Sequence, residues 1–511
     1  MTLRAATAFG LAAIVALAAW QHWRVLGADP FPIGVDGYFY PIQVRSILEH
    51  GVLRYPASPV TFYWMAPFAA VTDPIVGAKL GAAIGMALIA VPAYGVGAKL
   101  GGSRAAGAIA AVVAATSADA GYLAIEFVKQ GIGLTVALGA LWVVLHTLDK
   151  PSYRRVAAAI AAVALAFATH KLAGAIVVVV AMPSIVVRTR HLLHGRRLIY
   201  AALAGVAIVL ALIVLGIAAP QRFVSPHDLS LLGNLFSSDT RWSAPALVMQ
   251  NSTLAFGHEA AIGGVLAIVA AVILASNRHR HISDVENAAV PDARVVAPRR
   301  DQAPELRAFA WVVVGVALVI AIPWLDVTDP QGLGFRLRVT AFVPMALCAA
   351  ICAGELLHYA KHELVLVAIA AAILLVQLRR DRTEGEVLTH PALAAAVMAA
   401  TDQLPTGKTV IVPERHIMFM VDWYTRADVS LRPEPIPYAQ RVRLFGLVFI
   451  GGAKSPLDVA LDAARDQPDP PIGLHPRYRN GLVLVSEPTW DWLLAQLPAA
   501  DRAHFAAWPT I

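Results

Sequence analysis

The sequence predicts a polytopic α-helical membrane bundle of about eleven transmembrane helices, followed by a small C-terminal α/β domain. Hydrophobic residues make up 58% of the chain and charged residues only 15%, and the mean hydropathy is +0.63. Soluble domains average about 45–50% apolar and about 25% charged residues, so both values indicate a lipid environment. Apolar runs of about 20 residues, the length that crosses a bilayer, recur through the first three-quarters of the chain. After about residue 383, short β-branched runs alternate with helical patterns, which is typical of an α/β domain.

Eleven apolar runs are the predicted transmembrane helices. The first run has no small-residue cleavage site after it, because Trp20, Gln21 and Trp23 come next, so we interpret it as a retained anchor. Cys348 and Cys352 lie on one run at helical spacing, which excludes a disulfide framework and is not a zinc-site pattern. The runs cover residues 3–20, 76–98, 105–122, 132–148, 156–169, 172–187, 198–219, 260–275, 308–324, 339–353 and 364–378.

The distribution of basic residues predicts the orientation of the chain in a plasma membrane. Lysine and arginine are concentrated in one alternate set of loops, which we expect to be cytoplasmic together with the N-terminus. An odd number of spans then places the C-terminal domain outside, although Arg379, Arg380 and Arg382 argue against that placement. The net charge of +7 therefore reflects membrane anchoring and not a nucleic-acid partner. The loops expected outside are 21–73, 119–131, 220–258 and 325–338.

These patterns divide the chain into a membrane domain over 1–382 and an extracytoplasmic α/β domain over 383–511. The charged, proline-containing stretch 276–307 is expected to be a cytoplasmic linker. No glycine-rich phosphate-binding motif follows a predicted strand, so nucleotide binding by the second domain is unsupported. The predicted strands of that domain are 409–412, 444–450 and 482–485, and its predicted helices are 391–404, 456–465 and 489–497.

Ionisable residues near apolar segments are the best pointers to function in a membrane protein, and the first of them is Asp36. This carboxylate stands among aromatic residues in the first outer loop, where partial desolvation would suit it to act as a general base. The alternative is structural, because Asp36 could cap the following helix or form an Asp-Gly turn. The residues alone leave the two interpretations open.

Two further groups of candidates lie on the predicted outer face. Arg336 and Arg338 at the entrance of the tenth span could form a fork for phosphate oxygens, or could extend to lipid headgroups. His170 and Lys171 could hold an anionic headgroup, or could only separate two helices in a polar turn. Asp119, Glu126 and Lys129 share the second outer loop, and Glu126 is the best candidate there for a second catalytic carboxylate.

One segment of the first outer loop resembles a known family. It contains Asp36-Gly37-Tyr38, then Tyr40-Pro41 and Arg45, and a proline- and aromatic-rich stretch over 55–67 follows. Together with the many spans and the C-terminal domain, this segment resembles the GT-C superfamily of polytopic membrane glycosyltransferases. That superfamily includes protein mannosyltransferases, aminoarabinose transferases and the catalytic subunits of oligosaccharyltransferase.

The resemblance implies that the chain transfers a sugar from a polyprenyl-phosphate donor to a glycan, lipid or protein acceptor. Asp36 would be the catalytic base or acceptor-positioning carboxylate. Arg336 would contact the donor phosphate, with Arg338 and Lys171 behind it, and Tyr38 and Arg45 of the matching segment are further substrate-binding candidates. The first loop has no Asp-x-Asp or Glu-x-Asp and the C-terminal domain has no WWDYG-like sequence, so no metal ligands are assigned. A divalent metal therefore remains an open cofactor question.

Two other classes of function compete with a transferase. A transporter or flippase for a lipid-linked glycan would show related halves and charges near the membrane midplane, and the sequence shows neither an internal repeat nor heavily charged spans. A non-catalytic membrane protein is the second alternative. Cleavage of a lipid-linked sugar would distinguish the transferase from both.

Overall fold

The computed structural model describes long continuous parts of the membrane domain and short parts of the C-terminal region. The described residues are 3–34, 36–190, 210–211, 214–218, 228, 231–236, 256–287, 303–323, 325–327, 332–360, 365, 368–373, 410–411, 415–424, 429–430, 482–483 and 499. Within them the chain divides into two compact units, residues 1–28 with 51–385 and residues 29–50 with 386–511.

The first unit is helical, as its apolar composition predicts. Its helices are α1 (Leu3–Leu26), α3 (Val60–Val71), α4 (Pro74–Ala87), α5 (Ala90–Gly101), α6 (Arg104–Thr116), α7 (Ala118–Ile125), α8 (Val128–Asp149), α9 (Tyr153–Thr169), α10 (Lys171–Thr189), α11 (Phe256–Asn287), α12 (Pro304–Ala321), α13 (Leu333–Arg338) and α14 (Phe342–Ala360). The helix between α1 and α3, α2 (Phe39–His50), belongs to the second unit.

Seven helical segments in the described part of the chain are long and apolar enough to cross a membrane, which confirms a multi-pass membrane protein. The pair α6 and α7 is bent by 44° and would make an eighth span. Helix α9 covers another predicted span in 17 residues, and the predicted spans 198–219 and 364–378 lie mostly outside the described residues. The seven segments are Ala5–Leu26, Pro74–Gly101, Val128–Asp149, Lys171–Thr189, His258–Ser276, Pro304–Ala321 and Leu333–Leu357.

Apolar side chains cover both the inside and the outside of this unit. Ile160, Val179, Val265 and Val272 are each more than 60% exposed, as expected of helix surfaces that face lipid. Inside, small residues let the helices approach closely, as is usual between membrane helices. A Cβ on Gly77 of α4 would lie 2.3 Å from the backbone of Ala69 in α3, so this contact requires glycine.

Two segments differ from the sequence-based expectation in extent. The predicted outer loop 119–131 is mostly helical, because Ser117 starts α7 and α8 begins at Val128. Helix α11 continues to Asn287, past Ser276 where the sequence predicts a linker, since no proline or glycine interrupts it before Pro291. The rest of that linker up to residue 302 lies outside the described residues.

The second unit contains α2, helix α15 (Arg415–Tyr424) and three two-residue strands, β1 (Val410–Ile411), β2 (Val429–Ser430) and β3 (Leu482–Val483). The strands are parallel in the order β2-β1-β3. Strands β1 and β3 fall within the predicted strands 409–412 and 482–485. Four other predicted elements of this domain lie outside the described residues: the strand 444–450 and the helices 391–404, 456–465 and 489–497. Three such short strands do not establish an α/β domain, which stays a prediction.

Candidate functional site

The break between α6 and α7 brings a polar turn into the helical unit. Ser117 has an extended backbone, and its hydroxyl accepts hydrogen bonds from the N–H groups of Asp119 at 3.1 Å and Ala120 at 3.3 Å. The serine therefore caps α7, as short hydroxyl side chains do at helix N-termini. Helix α7 ends at Ile125, with Glu126 as its C-terminal cap residue, so α6, α7 and α8 follow each other with only short breaks.

The short helix α13 carries both candidate arginines and is held from several sides. The ring centroid of Phe335 lies 6.1 Å from that of Tyr122 and 6.2 Å from that of Phe127. The Gln130 side chain donates a hydrogen bond of 3.0 Å to the carbonyl oxygen of Arg336. A Cβ on Gly334 would lie 2.0 Å from the carbonyl oxygen of Asp326, so the helix follows the preceding chain at a distance that only glycine allows.

Arg336 belongs to a group of ionisable residues that we call the cationic cluster: Lys129, His170, Lys171, Asp228 and Arg336. The guanidinium carbon of Arg336 lies 5.5 Å from the centre of the Phe127 ring. The Lys171 ammonium nitrogen lies 2.6 Å from the Asp228 carboxylate, and both side chains are about one-quarter exposed. The cluster thus combines residues from α8, α10 and α13 with the connection between α9 and α10.

The pKa of His170 shows that positive charge dominates in the cationic cluster. Burial is the main reason why the pKa of His170 falls to about 3. The positive charges of Lys129, Arg336 and Lys171 lower this pKa in the same direction. The negative charge of Asp228 opposes them. His170 is therefore neutral at physiological pH, and the cluster holds three cations and one acid.

The two long helices that begin at the cationic cluster add to its positive potential. Helix α8 begins at Val128 and α10 begins at Lys171, and neither has a side-chain cap on its first N–H groups. Helix N-termini carry a partial positive charge and present N–H groups to anions. The arrangement can therefore bind an anion such as a phosphate.

Arg338 lies on the same helix as Arg336 but has different surroundings. Its side chain is fully buried, and one guanidinium nitrogen, Nη2, donates a hydrogen bond of 2.8 Å to the carbonyl oxygen of Ile322. Two buried acids interact with each other near it: Asp119 of α7, which is 0% exposed, and Glu259 of α11, which is 3% exposed. Glu259 accepts hydrogen bonds from the Ser117 hydroxyl and from the Ala118 N–H group, the latter at 2.9 Å.

The candidates Asp36, Tyr38 and Arg45 lie in the second unit, where α2 contacts α15. The hydroxyl groups of Tyr38 and Tyr424 are 2.9 Å apart. The Arg45 guanidinium lies 4.3 Å from the Trp423 ring centre and donates to the carbonyl oxygens of Trp423 and Asp422. Arg45 therefore fastens α15 to α2.

Asp36 starts the turn into α2, because its carbonyl oxygen accepts a hydrogen bond of 2.9 Å from the Phe39 N–H group. Its side chain is half-buried.

The structure thus brings the candidates His170, Lys171 and Arg336 together in the cationic cluster. Arg338 is not part of that cluster and lies near the buried acid Asp119. Glu126 lies at the end of α7, near Tyr122. Sequence reasoning did not select Asp228 or Glu259. Glu259 is a single acid at the start of an apolar span, which is a detectable signal. Asp228 falls in the predicted outer loop 220–258, where an acid is not unusual, and has no such signal.

Among the described residues, no group of three or more histidine, cysteine, aspartate or glutamate side chains could hold a metal ion. No family model matches the sequence, and no curated protein matches it either.

Proposed function

We propose that this membrane protein is a glycosyltransferase that moves a sugar from a polyprenyl-phosphate donor to an acceptor. The observation that carries the proposal is the cationic cluster, in which the positive charges of Lys129, Lys171 and Arg336 help to lower the pKa of His170 and keep it neutral. Such a cluster at the start of two membrane helices suits a ligand whose phosphate lies at the membrane boundary and whose tail lies in lipid. The resemblance of the segment around Asp36 to GT-C enzymes supplies the transfer reaction.

The proposed reaction breaks one bond and forms another at the same carbon. The Asp36 carboxylate accepts the proton of the acceptor hydroxyl, whose oxygen attacks the anomeric carbon of the donor sugar. The bond between that carbon and the phosphate oxygen breaks, and polyprenyl phosphate leaves with the bonding electrons. Negative charge increases on the phosphate as the bond breaks, so Arg336 and Lys171 stabilise the transition state more than the donor.

The C-terminal α/β domain and the outer placement of Asp36 belong to the same proposal. The predicted alternation of strands and helices and the parallel pairing of β1 with β2 and β3 support the domain. The concentration of basic residues in the opposite loops supports the orientation. We expect the acceptor to be bound on that outer side, in a plasma membrane.

Binding of a polyprenyl phosphate without sugar tests the role of the cationic cluster. Arg336→Gln should weaken binding of this probe by about 10- to 100-fold, because a hydrogen bond to a charged group contributes about 1.5–3 kcal/mol. The matched control is Arg188→Gln, which removes an arginine that pairs with Glu305 at 3.7 Å elsewhere in the unit. Equal affinities of the wild-type protein and Arg336→Gln would exclude Arg336 from the phosphate site.

A transporter for a lipid-linked glycan is the second candidate function. It is favoured by the buried ionisable side chains Asp119, Glu259 and Arg338 at the bent pair α6 and α7, because transporters use broken helices and buried ionisable groups in this way. Proteoliposomes loaded with a polyprenyl-phosphate sugar distinguish the two functions. A transporter would move the intact lipid across the bilayer, whereas a transferase would cleave it.

A further inference from the structure

The first two turns of α8 contact two parts of the cationic cluster. Gln130 lies in the first turn and is 3% exposed, and its side-chain nitrogen donates a hydrogen bond of 3.0 Å to the carbonyl oxygen of Arg336. One turn further along, Gly133 faces His170, because a Cβ on this glycine would lie 2.8 Å from the His170 Cβ. Residues three positions apart are neighbours on a helix surface. One face of α8 therefore contacts both α13 and the residue that precedes α10.

The hydrogen bond from Gln130 fixes the last turn of α13 from outside that helix. Carbonyl groups in the last turn of a helix have no partner within it. In α13 the carbonyl oxygens of Phe335, Leu337 and Arg338 accept hydrogen bonds from backbone N–H groups that follow the helix. The carbonyl oxygen of Arg336 accepts one from α8 instead. Only the amide nitrogen of Gln130 can donate, so a side chain without a donor cannot make this contact.

Helix α8 is itself fixed against α4, so it can support its shorter neighbour. Met86 of α4 lies against Gly131, where a Cβ would be 2.2 Å from the Met86 sulfur atom. The Thr135 hydroxyl donates a hydrogen bond of 3.1 Å to the carbonyl oxygen of Gly85, also in α4. Helix α8 has 22 residues and α13 has six. Because most of the stability of a helix in a protein comes from its packing, the long packed helix determines where the short one lies.

We propose that Gln130 and Gly133 of α8 are positioning residues for the phosphate site. Gln130 holds the backbone of Arg336, and Gly133 lets His170 and Lys171 approach α8. Together they set the separation between the cations of α13 and α10. The proposal deepens, and rests on, the proposed function of the cationic cluster, because this separation matters only if the cations bind one phosphate. Neither positioning residue contacts the phosphate.

Binding of polyprenyl phosphate by the full-length protein tests the role of Gln130. Gln130→Met keeps the length of the side chain and loses the donor. The affinity should fall by about three- to tenfold, because the contribution of one hydrogen bond between uncharged groups limits how often α13 leaves its place. Wild-type affinity of Gln130→Met would overturn the proposal.

Double variants distinguish positioning from a general loss of structure. Because Gln130 acts through Arg336, Gln130→Met should change the affinity by less than about twofold in a protein that already carries Arg336→Gln. It should keep its full effect in the background of Arg188→Gln, whose arginine pairs with Glu305 elsewhere in the unit. An equal loss in both backgrounds would overturn the proposal, since a structural defect weakens binding whether or not Arg336 is present.

Gly133→Ala tests the contact with the start of α10. The added Cβ must push His170 away, so the affinity for polyprenyl phosphate should fall by about tenfold, because a hydrogen bond from Lys171 to a charged phosphate depends on its placement. This loss should nearly vanish when Lys171→Gln is already present. The matched control is Gly139→Ala on the same helix, where a Cβ meets no atom within 4 Å, and its affinity should be unchanged. Equal affinities of the two alanine variants would overturn the role of Gly133.

Amide hydrogen exchange tests the support of α13 without any ligand, which separates this inference from the proposed function. Exchange over residues 333–338 should accelerate by about three- to tenfold in Gln130→Met and stay unchanged in Gly139→Ala, because exchange reports local opening. If the wild-type protein fails to bind polyprenyl phosphate, the proposed function fails while the exchange result still decides whether Gln130 holds α13. Unchanged exchange in Gln130→Met would contradict the inference even if the phosphate site is correct.

Discussion

The protonation state of His170 is determined by its burial and by the charges of its neighbours. In sequence it stands beside Lys171 at a turn, and a polar spacer is a reasonable alternative to a ligand-binding residue. In the structure it connects α9 to α10 with an extended backbone, and its Nδ1 atom is shielded from solvent. Its imidazole is neutral because three cations and burial oppose protonation. A neutral imidazole can donate one hydrogen bond to a phosphate without adding charge.

The depressed pKa of His170 predicts a stability effect in acid. The unfolded chain takes up a proton near pH 6.5, whereas the folded protein does so only near pH 3, so the folded state loses stability as the pH falls between these values. Within that window the slope is at most about 1.4 kcal/mol per pH unit. Replacing His170 by Gln should reduce the loss of melting temperature between pH 7 and pH 4.5 in detergent.

The control for this experiment is His50→Gln, because His50 is an exposed residue of α2 that is distant in sequence from the cationic cluster. It should leave the pH profile of the melting temperature unchanged. Identical profiles of the wild-type protein and His170→Gln would show that His170 is not the residue responsible.

The sequence predicts those charged residues of the candidate site that stand in segments where their charge is uncommon. Arg336 and Lys171 stand out, since basic residues are rare in the loops expected outside. Arg338 looks equivalent to Arg336 in sequence, and only the geometry of α13 shows that one is partly exposed and the other fully buried. Which side of a six-residue helix faces the core depends on its neighbours in three dimensions, so no local pattern could separate the two.

At the scale of elements, the contact between α2 and α15 depends on a few residues of the motif around Asp36. Tyr38 and Arg45 bond to residues that are more than 370 positions away. Sequence reasoning assigned these two residues to substrate binding, and their described contacts are with α15. Residues of the motif therefore hold α2 against α15 within the second unit, in addition to any role in catalysis.

Arg45→Met should loosen α2 from α15. The variant loses hydrogen bonds to two backbone carbonyl oxygens and the contact with the Trp423 ring, each of which contributes about 1 kcal/mol. Amide hydrogen exchange over residues 39–50 should accelerate by about tenfold or more, because exchange reports local opening. His50→Gln on the same helix should have no such effect, and equal exchange in all three proteins would contradict the role of Arg45.

The close contact between α3 and α4 gives a second prediction at this scale. Gly77→Ala places a Cβ 2.3 Å from the backbone of Ala69, so the helices must separate and stability should fall by about 1–3 kcal/mol. Gly139→Ala on α8 is the matched control, because a Cβ there meets no atom within 4 Å. Its melting temperature should equal or exceed that of the wild-type protein, and a lower value for Gly139→Ala than for Gly77→Ala would contradict this account of the contact.

Among the elements, the apolar spans are predicted best because crossing a bilayer requires length and hydrophobicity, which a sequence displays directly. The bend at Ser117 is not visible in the same way. The run 105–122 is apolar almost throughout, and the break depends on the Ser117 hydroxyl and its bond to Glu259, which is 142 residues away. Long-range contacts of this kind decide where an otherwise continuous helix bends.

For the whole molecule, a multi-pass helical membrane protein follows from composition and is confirmed by the seven apolar segments. The proposed activity does not follow in the same way, because sugar transfer would depend on the relative placement of a few polar groups in a largely apolar chain. The resemblance around Asp36 and the cationic cluster provide independent support for two parts of that activity, the general base and the phosphate site. Neither part alone would identify a transferase.

The most direct test of the central claim is release of polyprenyl phosphate from a polyprenyl-phosphate sugar by the purified full-length protein in liposomes. The proposed function predicts release by the wild-type protein in the presence of an acceptor mixture. Asp36→Asn should abolish release, while leaving the affinity for polyprenyl phosphate unchanged because the cationic cluster is intact. Release by Asp36→Asn at the wild-type rate, or transport of the intact donor without cleavage by the wild-type protein, would contradict the account.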